Sequence, residues 1–246
     1  MSLEPGLLAL FAIALVAFSV EGAIGFGATV IAASVGAQLL PLDELLPAFV
    51  PVNMALSAYL LATGAGSVQW RFLLREIAPA VVLGAAIGLA LFHVPAKTAL
   101  ALAFGVFVTG LAALQLMRPA TRDLPAGWRF GMLGLGGIAH GLFGTGGPMI
   151  VYVTRRRVDD KRAFRATLAL LWLSLNCALL VNFVSLGLYT RATLDTGLAI
   201  ALTVIPGLVV GERIHRALDA ARFERVVWVL LLVAGAALAV RNALAL

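Results

Sequence analysis

The stretch "HGLFGTGGPM", His140–Met149, decides how this chain is read. Four glycines and a proline interrupt an apolar block that resumes at Ile150–Val153 and closes on Arg155, Arg156 and Arg157. Near the start, "EGAIGFGATV", Glu21–Val30, carries the same cut. Glycine and proline both weaken a helix interior. A break made twice in hydrophobic surroundings therefore implies two half-helices in each block. The apolar pieces on either side hold roughly 8 to 15 residues, short of the ~20 that cross about 30 Å of hydrocarbon. Such pieces suit a re-entrant hairpin, which dips into a membrane and returns.

The membrane follows from composition. Of 246 residues, 62% are hydrophobic and 12% charged, with a mean hydropathy of +1.03. A soluble domain runs at about 45–50% and about 25%. Apolar runs recur over the whole length and are continuous rather than alternating. They predict an all-α polytopic membrane protein and argue against a β-barrel. Full spans are expected at about 45–63, 77–94, 98–117, 165–187, 194–212 and 225–243, with hairpins at 6–40 and 128–154. The net charge of +6 would suit a nucleic-acid binder. The cations, however, sit in short loops between spans, and no nucleic-acid motif occurs, so no such partner is expected. Cys177 lies in an apolar span and reads as a buried small hydrophobe. No basic n-region precedes the first apolar run, so no cleaved signal peptide is expected.

Charge tests the hairpins. If each glycine block crosses once, Lys and Arg divide 11 to 7. If each block returns to its own side, the loops holding Arg71–Arg75, Arg118–Arg129, Arg155–Arg165 and Arg213–Arg225 lie together. Only Lys97, Arg191 and Arg241 remain opposite, a division of 15 to 3. The positive-inside rule selects the second arrangement, with both termini periplasmic and the cation-rich loops cytoplasmic.

The chain also repeats. At a shift of 123, Asn53 meets Asn176, Gly64 meets Gly187, Gly84 meets Gly207 and Gly88 meets Gly211. At 119, Glu21 meets His140, while Gly22, Gly25 and Gly27 meet Gly141, Gly144 and Gly146. The halves are 1–120 and 121–246, joined by the Pro- and Gly-bearing linker Arg118–Arg129. Three crossings per half is an odd number, so the two repeats are inverted. Many secondary transporters share that plan and bind substrate near the midplane, where broken helices meet.

Half-helices starting near Ala28 and near Gly147–Pro148 would aim unpaired N–H groups into the membrane interior, where they attract an anion. Pro148 suits an early helical position, and glycine lets an anion approach the backbone. Gly25, Phe26, Gly27 and Ala28, with Gly144, Thr145, Gly146 and Gly147, are thus candidate substrate contacts. The same glycines also fit plain close packing of helices. Asn53 and Asn176 are either amide donors to the anion or a hydrogen-bonded pair between helices. Ser57, Ser174 and Gln38 are further polar candidates. Glu21 and His140 precede the tips. They are candidates for proton coupling, or else they hydrogen-bond loose backbone in wet vestibules. His93 and His215 sit near span ends and read as interface residues. Arg155, Arg156 and Arg157 read as a topology signal that can also concentrate anions at a mouth. No H-E-x-x-H, Walker loop or Cys/His cluster occurs. No metal, cofactor or catalytic residue is expected, and the chain is not read as an enzyme.

"GAIGFGATVIAA" in the first half, "GIAHGLFGTGGPMIVYV" in the second, and the G-x-x-x-G pairs Gly84/Gly88 and Gly207/Gly211 resemble the sulfite exporter TauE/SafE family. That family belongs to the 4-toluene sulfonate uptake permease superfamily, and the resemblance covers nearly the whole chain. The first motif departs in having Ala28-Thr29 where the second has Gly147-Pro148. The resemblance implies a secondary transporter in a bacterial inner membrane for sulfite, sulfonates or related organosulfur anions. Lacking an ATP-binding loop, it would run on an ion gradient or by simple facilitation. Three other readings remain. One is an intramembrane enzyme on a lipid phosphate with Glu and His as acid–base groups, against which neither tip carries an arginine to clamp phosphate. The others are a passive anion channel and a structural membrane subunit. A homodimer is compatible with apolar helix faces that suit lipid and protein alike.

Overall fold

The computed structural model describes residues 5–36, 39–91, 97–117, 124–144 and 146–244. Gln38, His93 and Thr145 from the candidates above, and linker residues 118–123, lie outside the described residues. Among the described residues every regular element is helical. The first half supplies α1 (Pro5–Ile24), α2 (Ala28–Val35), α3 (Leu42–Gly64), α4 (Trp70–Ala90) and α5 (Lys97–Met117). The second supplies α6 (Ala126–Phe143), α7 (Gly147–Arg155), α8 (Lys161–Ser185), α9 (Arg191–Ala201), α10 (Val204–Ala217) and α11 (Ala220–Ala243). Helices α1, α3, α4 and α8 are each long and apolar enough to cross a membrane. The pair α9 and α10, bent by 40° at a short break, passes the same test together. The expected span 194–212 is therefore two helices.

Both glycine blocks break where the sequence indicates. Gly25 (φ 85°), Gly27 (φ 108°) and Gly144 (φ 65°) are left-handed, a conformation that glycine alone adopts at little cost. Gly25 and Gly144 end their helices in the same way. Each N–H donates to the carbonyl four residues back, Glu21 at 2.6 Å and His140 at 2.8 Å, as in a left-handed C-cap.

The arms are unequal, which departs from the expectation of two short pieces per block. α1 has 20 residues and α6 has 18, whereas α2 has 8 and α7 has 9. Gly22 of α1, and Gly137 and Gly141 of α6, lie where a helix of the opposite half presses backbone to backbone on them. A Cβ built on Gly88 of α4 would lie 3.0 Å from the Gly141 Cα of α6, and one on Gly22 of α1 would lie 3.5 Å from the Gly211 Cα of α10. The two G-x-x-x-G pairs thus seat each long arm on the other half, as small residues do in membranes.

Arg129 at the start of α6 and Arg157 just past α7 reach the same carboxylate, Glu76 of α4, at 3.3 and 2.9 Å. The second block therefore returns to the end it left. Lys161 joins that end by donating to the carbonyls of His215 and Leu218. The opposite end gathers Leu42, Leu89, Phe183, Leu188 and Tyr189 in one apolar cluster. In the first hairpin, α2 climbs back as far as Ile13, 4.0 Å from a Cβ placed on Gly36.

Cys177 is exposed, not buried. An apolar membrane span can turn a small hydrophobe outward as readily as inward, so its apolar neighbours did not determine its face.

Candidate functional site

α3 and α8 meet at their asparagines. The Asn176 Nδ2–H donates to Asn53 Oδ1 at 2.9 Å, and each residue is 1% exposed. Asn53 stands beside Glu21, and Asn176 beside His140. The result is a buried polar row, Glu21–Asn53–Asn176–His140, between the two hairpin tips. Removing either amide leaves a buried partner unpaired. In an Asn53→Ala, Asn176→Ala double-mutant cycle read by unfolding in detergent, a coupling of about 0.6–2 kcal/mol is expected.

At the first tip, Glu21 folds back over its own hairpin. Its Oε2 accepts the Ala28 N–H, the leading amide of α2, at 3.0 Å, and its Oε1 accepts from Ser57 Oγ at 3.5 Å. The carboxylate thus occupies the position an anion would take at this helix end. At the second tip, α7 starts at Gly147 with Pro148 in its first turn, where the missing N–H costs nothing. Trp172 of α8 links the tips. Its indole N–H donates to Gly25 O at 2.9 Å, and its ring stacks on His140 with centroids 5.9 Å apart.

The tips lie side by side. A Cβ on Gly147 would stand 3.6 Å from Phe26, and one on Gly144 would stand 3.8 Å from Thr29. Between them Glu21, Phe26, Gly27, Thr29, Val30, His140, Gly144, Gly147 and Trp172 line a cavity of about 10 Å³, room for about one water. His140 Nε2, Asn53 Nδ2 and Asn176 Oδ1 are buried and make no hydrogen bond. Such groups cost about 1–3 kcal/mol each when unpaired.

The structure brings together most of the sequence candidates, in differing roles. Glu21, Phe26, Gly27, His140, Gly144 and Gly147 line the cavity. Ala28 gives its amide to Glu21, and Ser57 joins through the same carboxylate. Gly25 and Gly146 are both closely approached. A Cβ on Gly25 would lie 2.9 Å from the Arg165 Cα, and one on Gly146 would overlap the Gly136 carbonyl. Ser174 is exposed and bonds back to Leu170 O. His215 is no interface residue. It is 3% exposed, with Nδ1 2.6 Å from Ala23 O, because α10 turns it onto the end of α1 rather than outward. Among the described residues no group of three or more His, Cys, Asp or Glu could hold a metal ion.

Two residues were missed. Trp172 and Arg165 share one face of α8 with Asn176, at spacings of four and eleven residues. The asparagine alone marked that face. Arg165 Nη1 donates to Gly22 O at 2.8 Å and to Glu212 Oε2 at 2.7 Å. It borders a second, far larger cavity of about 700 Å³ at the cation-rich end, lined by residues that include Tyr59, Thr63, Ser67, Lys161, Arg162, Glu212, His215 and Arg216.

The model of one protein family, Sulfite exporter TauE/SafE, matches residues 10–238. A curated relative from Comamonas testosteroni, "Probable inner membrane transporter protein TsaS", is 28% identical over 174 residues, covering 70% of this chain and 72% of its own length. No solved structure matches.

Proposed function

The chain belongs to the sulfite exporter TauE/SafE family, and from that premise we propose that this multi-pass membrane transporter carries small sulfur oxyanions, sulfite or sulfonates, held between its two hairpin tips in a bacterial inner membrane. One observation carries the site: both tips abut a single buried cavity whose wall includes a ring nitrogen, His140 Nε2, without a partner. Gly27, Gly144 and Gly147 give backbone approach, with Phe26 and Ala28 beside them. Asn53 and Asn176 stand behind as amide donors.

The inverted-repeat organisation, 1–120 and 121–246, is supported by contacts that exchange under it. Asn53 touches Asn176, and the Gly88–Gly141 approach is mirrored by Gly211–Gly22. The meeting of Arg129 and Arg157 on Glu76 supports cytoplasmic cation-rich loops and periplasmic termini. A cavity that admits about one water is closed to an oxyanion. Access then requires each long arm to move with the helix it is seated on, α1 with α10 and α6 with α4, in alternation.

Glu21 acts as a built-in rival of the substrate, since its carboxylate takes the Ala28 amide. Protonation removes that charge and frees the amide, so anion and proton enter together, with His140 across the cavity as the second proton-coupling candidate. The test is uptake in proteoliposomes with methanesulfonate, which stays fully ionised across the range. Wild-type uptake should saturate, exchange against internal sulfite, and rise as pH falls. In Glu21→Gln the rise with falling pH should be much smaller, and any remainder should go with His140→Gln. Uptake that never saturates, or an unchanged pH profile in the variant, would overturn the reading.

A further inference from the structure

The large cavity at the cation-rich end lies outside the tip site. It is lined by four cations, Lys161, Arg162, Arg165 and Arg216, against one carboxylate, Glu212. Such a concave surface of one sign concentrates counter-ions. Arg165 and Glu212 are mostly covered, with side chains 11% and 28% exposed. Glu212 also lies 3.5 Å from Arg216 Nε, so its single negative charge is shared between two of the four and the lining stays net positive.

Two residues of the vestibule wall, Arg165 and His215, reach the end of α1. The last carbonyls of a helix lack intrahelical partners and carry partial negative charge. Here the side chains of the other half hold them. Arg165 takes Gly22 O, His215 lies on Ala23 O, and Trp172 takes Gly25 O. Arg165 and His215 line the vestibule, and Arg165 uses one nitrogen both for the tip and for Glu212. The arginine that pins the first hairpin is therefore the group an incoming anion meets.

The repeat supplies a comparison within the molecule. At the shift of 123, Arg165 corresponds to Leu42 and Glu212 to Leu89. Those two leucines share one apolar cluster at the opposite end. The seal is ionic at one end and hydrophobic at the other, so an anion has a partner to displace at one end alone.

Resting on the transporter reading but not on the tip site, we propose that the vestibule is a second oxyanion site, in which Arg165 is the ligand and Glu212 its internal competitor, and that filling it loosens the first hairpin tip. A sulfate- or sulfonate-type group offers two oxygens to the guanidinium fork, as a carboxylate does. It displaces Glu212 and draws Arg165 from Gly22 O.

Ser67 on the vestibule wall permits a test that needs no transport. In a Cys177→Ala background, Ser67→Cys is labelled in neutral detergent without lipid, so headgroup phosphate is not a source of anion. Matched anionic and cationic thiol reagents are compared with their rates on a free small thiol. The anionic reagent should gain about 10-fold relative to the cationic one, and sulfate or methanesulfonate should slow labelling. Arg165→Gln should remove that protection. Arg165→Lys, which keeps the charge without the fork, should weaken it, and Glu212→Gln should bring it on at lower anion concentration. Protection that is absent, or that persists unchanged in both Arg165 variants, overturns the proposal. Gly147→Ala separates the two sites. Protection retained there supports a vestibule site independent of the tips. Protection lost there means the anion was sensed at the tips, and the vestibule site is abandoned.

Discussion

Gly147→Ala is expected to cut sulfonate or sulfite flux by about 10- to 100-fold while the helices stay assembled. Gly147 opens α7 and lines the cavity between the tips. An added methyl meets Phe26 at 3.6 Å and Val30 at 3.8 Å, ordinary contact distances. The fold therefore tolerates it. The anion does not, because the methyl enters the small cavity that Gly147 lines at the start of α7. Losing one charge-assisted hydrogen bond costs about 1.5–3 kcal/mol, the origin of that range. Gly146 is the wrong residue for this test, since its Cβ would overlap the Gly136 carbonyl and separate α6 from α7. Gly131→Ala on α6, where nothing lies within 4 Å, is the matched control and should transport normally. Flux measured in proteoliposomes, beside an unchanged elution profile in detergent, decides the matter. Normal flux in Gly147→Ala would remove the tips as the binding site.

Gly88→Leu should fail at the level of folding. A side chain there would overlap the Ile138 carbonyl and come within 3.0 Å of the Gly141 Cα. Backbone cannot retreat as a side chain can, so α4 and α6 must separate along their whole seam. Overpacking of well-filled interiors typically costs about 1–3 kcal/mol, and a backbone clash lies at or beyond the top of that range. Little monodisperse protein should be recovered, and what remains should melt well below wild type. Gly110→Ala in α5, with open space around it, should be neutral or stabilising by about 0.5–1 kcal/mol through helix propensity. Equal melting of the two variants would show that the seam is not held by close glycine contact.

Much of this was legible beforehand because the membrane narrows the choices. With no water to satisfy backbone groups, apolar runs must be helices, and breaks within them stand out. The tips at Gly25–Gly27 and Gly144–Gly147 were visible for that reason. The like charges on the flanks of the second block, Arg129 and Arg157, called for a common side, and both reach Glu76. Arm lengths were less visible. Glycine lowers helix propensity by a similar amount at Gly22, Gly25 and Gly141, and local chemistry does not say which of them a neighbouring helix will support. Arg165 was hidden in a cluster of cations that serves topology. Its role depends on Gly22 O and Glu212, which are 143 and 47 residues away.

The sequence by itself determined the class of protein and the places where its helices break, because hydrophobicity, glycine and proline act through the local chain. Tertiary structure alone decided which glycines face a cavity and which face a helix, that Glu21 covers the amide beside it, and that one end closes on Arg165 and Glu212 while the other closes on leucine. These are contacts between distant segments, and burial in a shared interior, not local preference, selects them.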